Sequence, residues 1–267
     1  MEFKYHKSEK TIRKYFDELN SEKITFLTEL LFVENSVNCI FDTTFFGKVF
    51  GVMIFRINEL NTLIRLQKYK NIIHKFVSSE TLINYEFCLN QLDLICLAGY
   101  KSFTVDGRAG VIAILGRRYP GVPIQMCIFH QVQIVLRYTT RNPKTDCGID
   151  LKNLILTLKN STKKQFISDF KMLQETYRTF LKEFTINPVT NRKSYSHKSL
   201  RSAMRSINSH LKYLFIFQDY PDLNIQPTSN SCDGSFSQWK PKIKLHRGIS
   251  LSRKKQIITE ILGSKEV

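Results

Sequence analysis

The sequence predicts an α/β fold, and three observations carry the prediction. Residues 101–137, KSFTVDGRAGVIAILGRRYPGVPIQMCIFHQVQIVLR, alternate short apolar strand runs with helical periodicity. Residues 37–56, VNCIFDTTFFGKVFGVMIFR, read as two strands, the first apolar on both sides of Asp42 as a strand buried on both faces should be. Beyond Thr140 the pattern turns wholly helical until about Asp219.

In chain order, residues 1–30 read as helical and basic. Ser8 can cap a helix carrying Ile12, Phe16 and Leu19, either the stump of a helix-turn-helix or a plain amphipathic helix. Gly47-Lys48 makes a hairpin turn, and residues 49–56 return as the second strand. A third strand falls at 64–66 or 72–77. Residues 80–98 give a helix with Leu82, Ile83, Leu89, Leu92 and Cys96 mostly on one face, closed by Gly99. A short strand then delivers Asp106, Gly107 follows, and a helix leaves through Val111, Ile112 and Leu115. Pro120 and Pro123 break that helix. A strand at 124–126 reaches Cys127, His130 follows, and a helix runs over 129–139.

In the helical part, Thr162 and Gln165 form a capping-box pair. Phe166, Phe170, Leu173, Tyr177, Phe180, Leu181 and Phe184 mark one long amphipathic helix, broken by TINPVTNRKSY. A further helix over 199–217 places Leu200, Ala203, Ile207, Leu211 and Leu214 on one face, with Arg201 and Arg205 one turn apart. Asp233 stands at the start of a short helix through Phe236 and Trp239. Ser250 caps the last helix.

The chain has 267 residues with 40 Lys plus Arg against 23 Asp plus Glu, a net charge of +17 that favours a polyanionic partner, nucleic acid first. A Lys-rich composition without such a partner is the alternative. The six cysteines, several in apolar runs, read as small buried hydrophobes in a reduced protein. The charged opening MEFKYHKSEK predicts no signal peptide, and no apolar run nears the roughly 20 residues that span a bilayer, so a cytoplasmic protein with no membrane partner is expected.

Three carboxylates carry the chemistry. Asp42 in an apolar strand is costly to bury unless a cation meets it, or else it faces solvent on an edge strand. Asp106, between a strand and a helix, serves as a helix-end anion or as a second ligand on a neighbouring strand. With Asp233 from a helix, three carboxylates could hold two Mg²⁺ ions for phosphodiester chemistry. Cys127 and His130 form half a zinc site or a structural corner, and no second pair has zinc-finger spacing. Lys240, Lys242, Lys244, His246, Arg247, Arg253 and Lys254, interleaved with Phe236 and Trp239, form a solvated face or a phosphate-binding surface.

Together these residues resemble the RNase-H-like catalytic core of bacterial insertion-sequence transposases related to the Mutator transposases of plants. The likeness covers about residues 37–260 and rests on IFDTTFF, TVDGRAG, PIQMCIFHQ, QPTSNSCDGSF and HRGIS. It implies a mixed five-stranded sheet flanked by helices, with an all-helical insertion before the last acid. The expected division is an N-terminal remnant of a DNA-binding region (1–36), the first part of the core (37–139), the insertion (140–219), and the end of the core with a basic tail (220–267). The resemblance implies Asp42, Asp106 and Asp233 as catalytic metal ligands, two Mg²⁺ (or Mn²⁺) ions, and Cys127 and His130 as a structural signature. It also implies cleavage and strand transfer on double-stranded DNA at element ends and target, by a homodimer or higher oligomer near the bacterial nucleoid. The family usually has Glu in the third position, so Asp233 is one methylene short. The alternatives are a truncated, inactive DNA-binding remnant, or another RNase-H-like nuclease such as a resolvase.

Overall fold

The apolar run around Asp42 forms strand β1 (Val37–Phe46), and the other strands are placed from it. This computed structural model of the chain describes residues 36–61, 66–245 and 248–267; the predicted N-terminal helix with its Ser8 cap lies outside them. After a turn at Gly47, β2 (Phe50–Asn61) runs back antiparallel to β1, and β3 (Leu66–Val77) returns antiparallel to β2. On the other side of β1, β4 (Tyr100–Val105) pairs in parallel, and β5 (Ile124–Met126) pairs in parallel with β4. The result is a mixed five-strand sheet in the order β5-β4-β1-β2-β3, extended by a two-residue strand, Lys265–Glu266, beside β3. The third strand covers the predicted position 72–77 as part of one long element; of the other position, 64–66, only Leu66 lies among the described residues.

Helices α1 (Leu82–Asp93) and α2 (Ala109–Arg118) cover one face, and α3 (Ile128–Thr139) leaves β5. The insertion follows: α4 (Asp146–Thr157), α5 (Lys163–Thr176), a hairpin of β6 (Phe184–Ile186) and β7 (Lys193–Tyr195), α6 (Lys198–Leu214) and the short α7 (Ile216–Asp219). Helices α8 (Asn230–Leu245) and α9 (Leu251–Leu262) close the chain.

Side chains alternate across a strand, so β1 serves two cores. Val37, Cys39 and Phe41 face α1 and α2, packing with Phe55, Phe103, Tyr85, Leu89 and Leu115. Ile40, with Val52 and Ile54, faces α8 and α9 and meets Cys232, Phe236, Ile243, Ile258 and Leu262. A third core lies within the insertion, where Met126, Ile128 and Val135 join Phe166, Phe170, Ile207 and Phe215. All six cysteines are free and buried, as their apolar surroundings predict.

Four expectations are corrected. The helix expected over 80–98 is shorter, because Thr81 caps it by accepting from the Asn84 N–H, and it stops before Leu94. Its buried side is Tyr85, Cys88, Leu89 and Leu92, leaving Leu82 and Ile83 exposed; Gly99, with φ of 81°, turns the chain into β4. The long helix expected from Phe166 to Phe184 ends at Thr176, and only the first half of its capping box forms, since the Gln165 amide donates to Asp169. The insertion is also not all-helical. Pro188 lacks an N–H, and Asn187 accepts from the Val189 and Thr190 N–H groups, so TINPVTNRKSY turns back as a hairpin with Phe184 stacked on Tyr195 at 4.4 Å. Finally, the helix bearing Asp233 is long, continuing through Pro241 to Leu245. Among the described residues, no helix is long and apolar enough to cross a membrane.

Phe103 is fully buried on β4, its ring 5.6 Å from Phe41 and 4.7 Å from Tyr100. Phe103→Ala is expected to cost about 3–5 kcal/mol, read as a lower urea midpoint at unchanged m-value.

Candidate active site

Asp42 lies on the central strand, between β2 and β4, and is only 7% exposed. The edge-strand alternative is therefore overturned. By strand alternation Asp42 shares the face of Ile40, the face on which α8 docks. Its Oδ1 accepts the Thr43 N–H at 2.8 Å. Asp106 follows the last residue of β4. The final paired residues of β1 and β4 are Ile40 and Thr104, so the same register carried two residues further sets Asp106 beside Asp42.

Asp106 Oδ1 accepts the Arg108 N–H at 3.1 Å, whereas α2 begins from Arg108 without a side-chain cap. Asp106 thus holds the turn ahead of the helix. Burial pushes its carboxyl above the ordinary range and nearby Glu80 adds to this, while the Arg108 N–H and the His130 charge act the other way. The turn needs Gly107 for two reasons. Its φ is 89°, and a Cβ there would come within 2.5 Å of the Met126 side chain.

Cys127 and His130 bracket the start of α3. The Cys127 thiol accepts from the Ser229 N–H at 3.2 Å, and Ser229 Oγ lies 3.5 Å from His130 Nδ1. Two further bonds hold the same loop to the carboxyl ends of β4 and β5: Thr104 Oγ1 donates to the Gln226 carbonyl at 2.8 Å, and the Ile128 N–H to the Pro227 carbonyl at 2.9 Å. The Cys-x-x-His corner therefore secures the loop that leads into α8. Burial opposes charge on His130. The Cys127 hydrogen bond and the Asp42 and Asp106 charges outweigh burial, and its pKa rises to about 9.

Asp233 sits in the first turn of α8, close behind Ser229; its side chain lies outside the described residues. Cys232 and Phe236 fasten this turn to Ile40, and buried Arg56 donates to the Ser231 carbonyl. Of the basic residues, Lys240 Nζ lies 5.9 Å from the rings of Phe46 and Phe236, while Arg253 and Lys254 sit half-buried on α9. Ser250 caps α9 by accepting from the Arg253 N–H at 3.2 Å. The side chains of Lys242 and Lys244, and all of His246 and Arg247, lie outside the described residues.

Three residues reach this site without a local signal in the sequence. Glu80 lies beside Asp106, Arg56 reaches α8 from β2, and His210 on α6 lies against the Gly107 backbone with its Nδ1 2.8 Å from Gln131 Oε1. Burial lowers the His210 pKa. Among the described residues, no group of three His, Cys, Asp or Glu side chains is close enough to hold a metal ion. Two hard oxygen donors from Asp42 and Asp106 suit a divalent cation, and a third would have to come from α8. No family model matches the chain, and no curated protein matches it.

Gly107→Ala is expected to cost about 1–2 kcal/mol in thermal or urea unfolding, because an alanine must take a left-handed conformation there. His130 gives a pH signature. Its folded pKa of about 9 lies above 6.5, so its stabilising charge is fully present below 6.5 and is lost as pH rises through 9. The stability gap between the native chain and His130→Gln should be widest on the acid side of 6.5 and close above 9 in urea titrations across pH.

Proposed function

We propose that the chain is a DNA transposase with an RNase-H-like core, of the bacterial insertion-sequence class related to the Mutator transposases. One observation carries the reading: a carboxylate inside the central strand β1 and another just past the carboxyl end of its parallel neighbour β4, with an acid-bearing helix docked on the sheet face of the first. The strand order β5-β4-β1-β2-β3, with β2 alone antiparallel to the other four, agrees with an RNase-H-like core. So does a large insertion between β5 and the helix of the third acid. In open α/β sheets, ligands sit outside the carboxyl ends of the strands, where Asp106 lies.

In this reading Asp42, Asp106 and Asp233 would hold two Mg²⁺ or Mn²⁺ ions. Such ions, when bound, offset the charge developing on a phosphodiester and activate an attacking oxygen. Asp42 is oriented by the Thr43 N–H and Asp106 by the Arg108 N–H. His130 sets a positive charge beside the acid pair, and the Cys127–Ser229 contact holds the α8 loop over it. Water attacks the phosphodiester at an element end and frees a 3′-hydroxyl, which then displaces a 3′-oxygen in target DNA. Lys240, Lys242, Lys244, His246, Arg247, Arg253 and Lys254 bind backbone phosphates, and two or more copies assemble on the duplex. The short Asp233 favours one competing reading, an inactive DNA-binding relic, because misplacing a catalytic group by about 1 Å costs on the order of 100-fold.

Cleavage and strand transfer on a labelled element-end duplex with Mg²⁺ or Mn²⁺ tests the proposal. Native activity should fall about 100-fold or more in Asp42→Asn and Asp106→Asn, with DNA affinity retained. Silence in the native chain with activity gained in Asp233→Glu points to the decayed form; equal activity in native and Asp106→Asn chains overturns the proposal.

A further inference from the structure

We infer that Glu80 is a positioning residue that sets the separation of Asp42 and Asp106; the inference rests on the catalytic reading above. The ladder between β1 and β4 stops at Ile40 and Thr104, and β4 turns away through Gly107. Asp42 stays tied to β2 through its pairing with Ile54, but Asp106 lies beyond the last residues that tie β4 to β1. A small relative movement of the strand ends there would change the distance between the carboxylates.

Glu80 spans that gap from the link between β3 and α1. Its Oε1 accepts from Thr43 Oγ1 at 2.9 Å and from the Tyr85 hydroxyl. Its Oε2 pairs with Arg108 Nη1 at 2.9 Å, and the same Nη1 donates to the Glu80 backbone carbonyl at 2.9 Å. Thr43 is the residue whose N–H orients Asp42, and Arg108 the one whose N–H orients Asp106. One carboxylate thus connects the two groups that aim the acid pair. Both Glu80 oxygens are engaged by donors from the protein, so Glu80 acts through Thr43 and Arg108 instead of as a ligand. Charge-assisted bonds suit the task because they are shorter and stronger than neutral ones.

Two measurements on the full chain test the clamp. The first is Mn²⁺ binding, followed by the electron paramagnetic resonance signal of free Mn²⁺. Glu80→Ala and Arg108→Ala should each weaken binding by about 10-fold, and the double variant should be no worse than either alone. In Mn²⁺-dependent nicking of supercoiled plasmid, kcat should fall while KM for DNA holds. Glu80→Gln, which keeps the Thr43 and Tyr85 bonds but loses the ion pair, should fall between native and Glu80→Ala. The second is amide hydrogen exchange without metal, where Glu80→Ala should speed exchange over residues 104–112 by about 10-fold.

Unchanged exchange in Glu80→Ala overturns the clamp. So does a loss of Mn²⁺ binding in Glu80→Ala while Arg108→Ala and Thr43→Val bind as the native chain does, because that is the behaviour of a direct ligand. If native and Asp106→Asn chains bind Mn²⁺ alike, the catalytic reading fails separately and hydrogen exchange alone decides the clamp.

Discussion

The parallel pairing of β1 with β4 is the constraint on which the rest depends. It makes β1 the middle of the sheet, buries it on both faces, and brings Asp42 and Asp106 out at the same edge. Two adjacent carboxylates in a half-dry setting repel one another, and each loses hydration. The structure meets that cost with backbone N–H donors to both acids, with the His130 charge, and with an Asp–Gly turn that stops β4 at the right residue.

The helix that carries Asp233 depends on different forces. Helix α8 approaches Asp42 because Cys232, Phe236 and Ile243 bury against Ile40, Val52 and Ile54. Its preceding loop is held by bonds from Thr104, Cys127 and Ile128, all at the carboxyl ends of β4 and β5. Buried Arg56 completes the attachment at the Ser231 carbonyl. The Cys-x-x-His corner is thus a joint between the two parts of the core that the insertion separates in sequence. The insertion in turn has its own apolar centre, and His210 carries it up to the Gly107 turn.

Electrostatics divides the molecule. The net charge is strongly positive, yet the candidate site concentrates Asp42, Asp106 and Glu80. Phosphate would be attracted by the bulk of the surface and repelled by the acid pair, unless cations intervene.

Local rules made much of this legible. The apolar run at 37–46, the Asp–Gly junction and the proline-bounded strand 124–126 were readable because strand alternation and turn chemistry act over a few residues. Even the free, buried cysteines followed from their apolar neighbours. The sequence by itself determined that Asp42 lies inside an apolar strand and that Asp106 follows the end of another. Local periodicity misjudged helix lengths, since Thr81 and the Asn187 turn compete with apolar patterning through hydrogen bonds that periodicity does not register. Only the tertiary structure decided that β4 lies beside β1, that α8 docks on the face of Asp42, and that Glu80 and Arg56 reach the site. Those contacts join residues far apart in the chain, and their energy comes from burial and pairing that no short window of sequence contains.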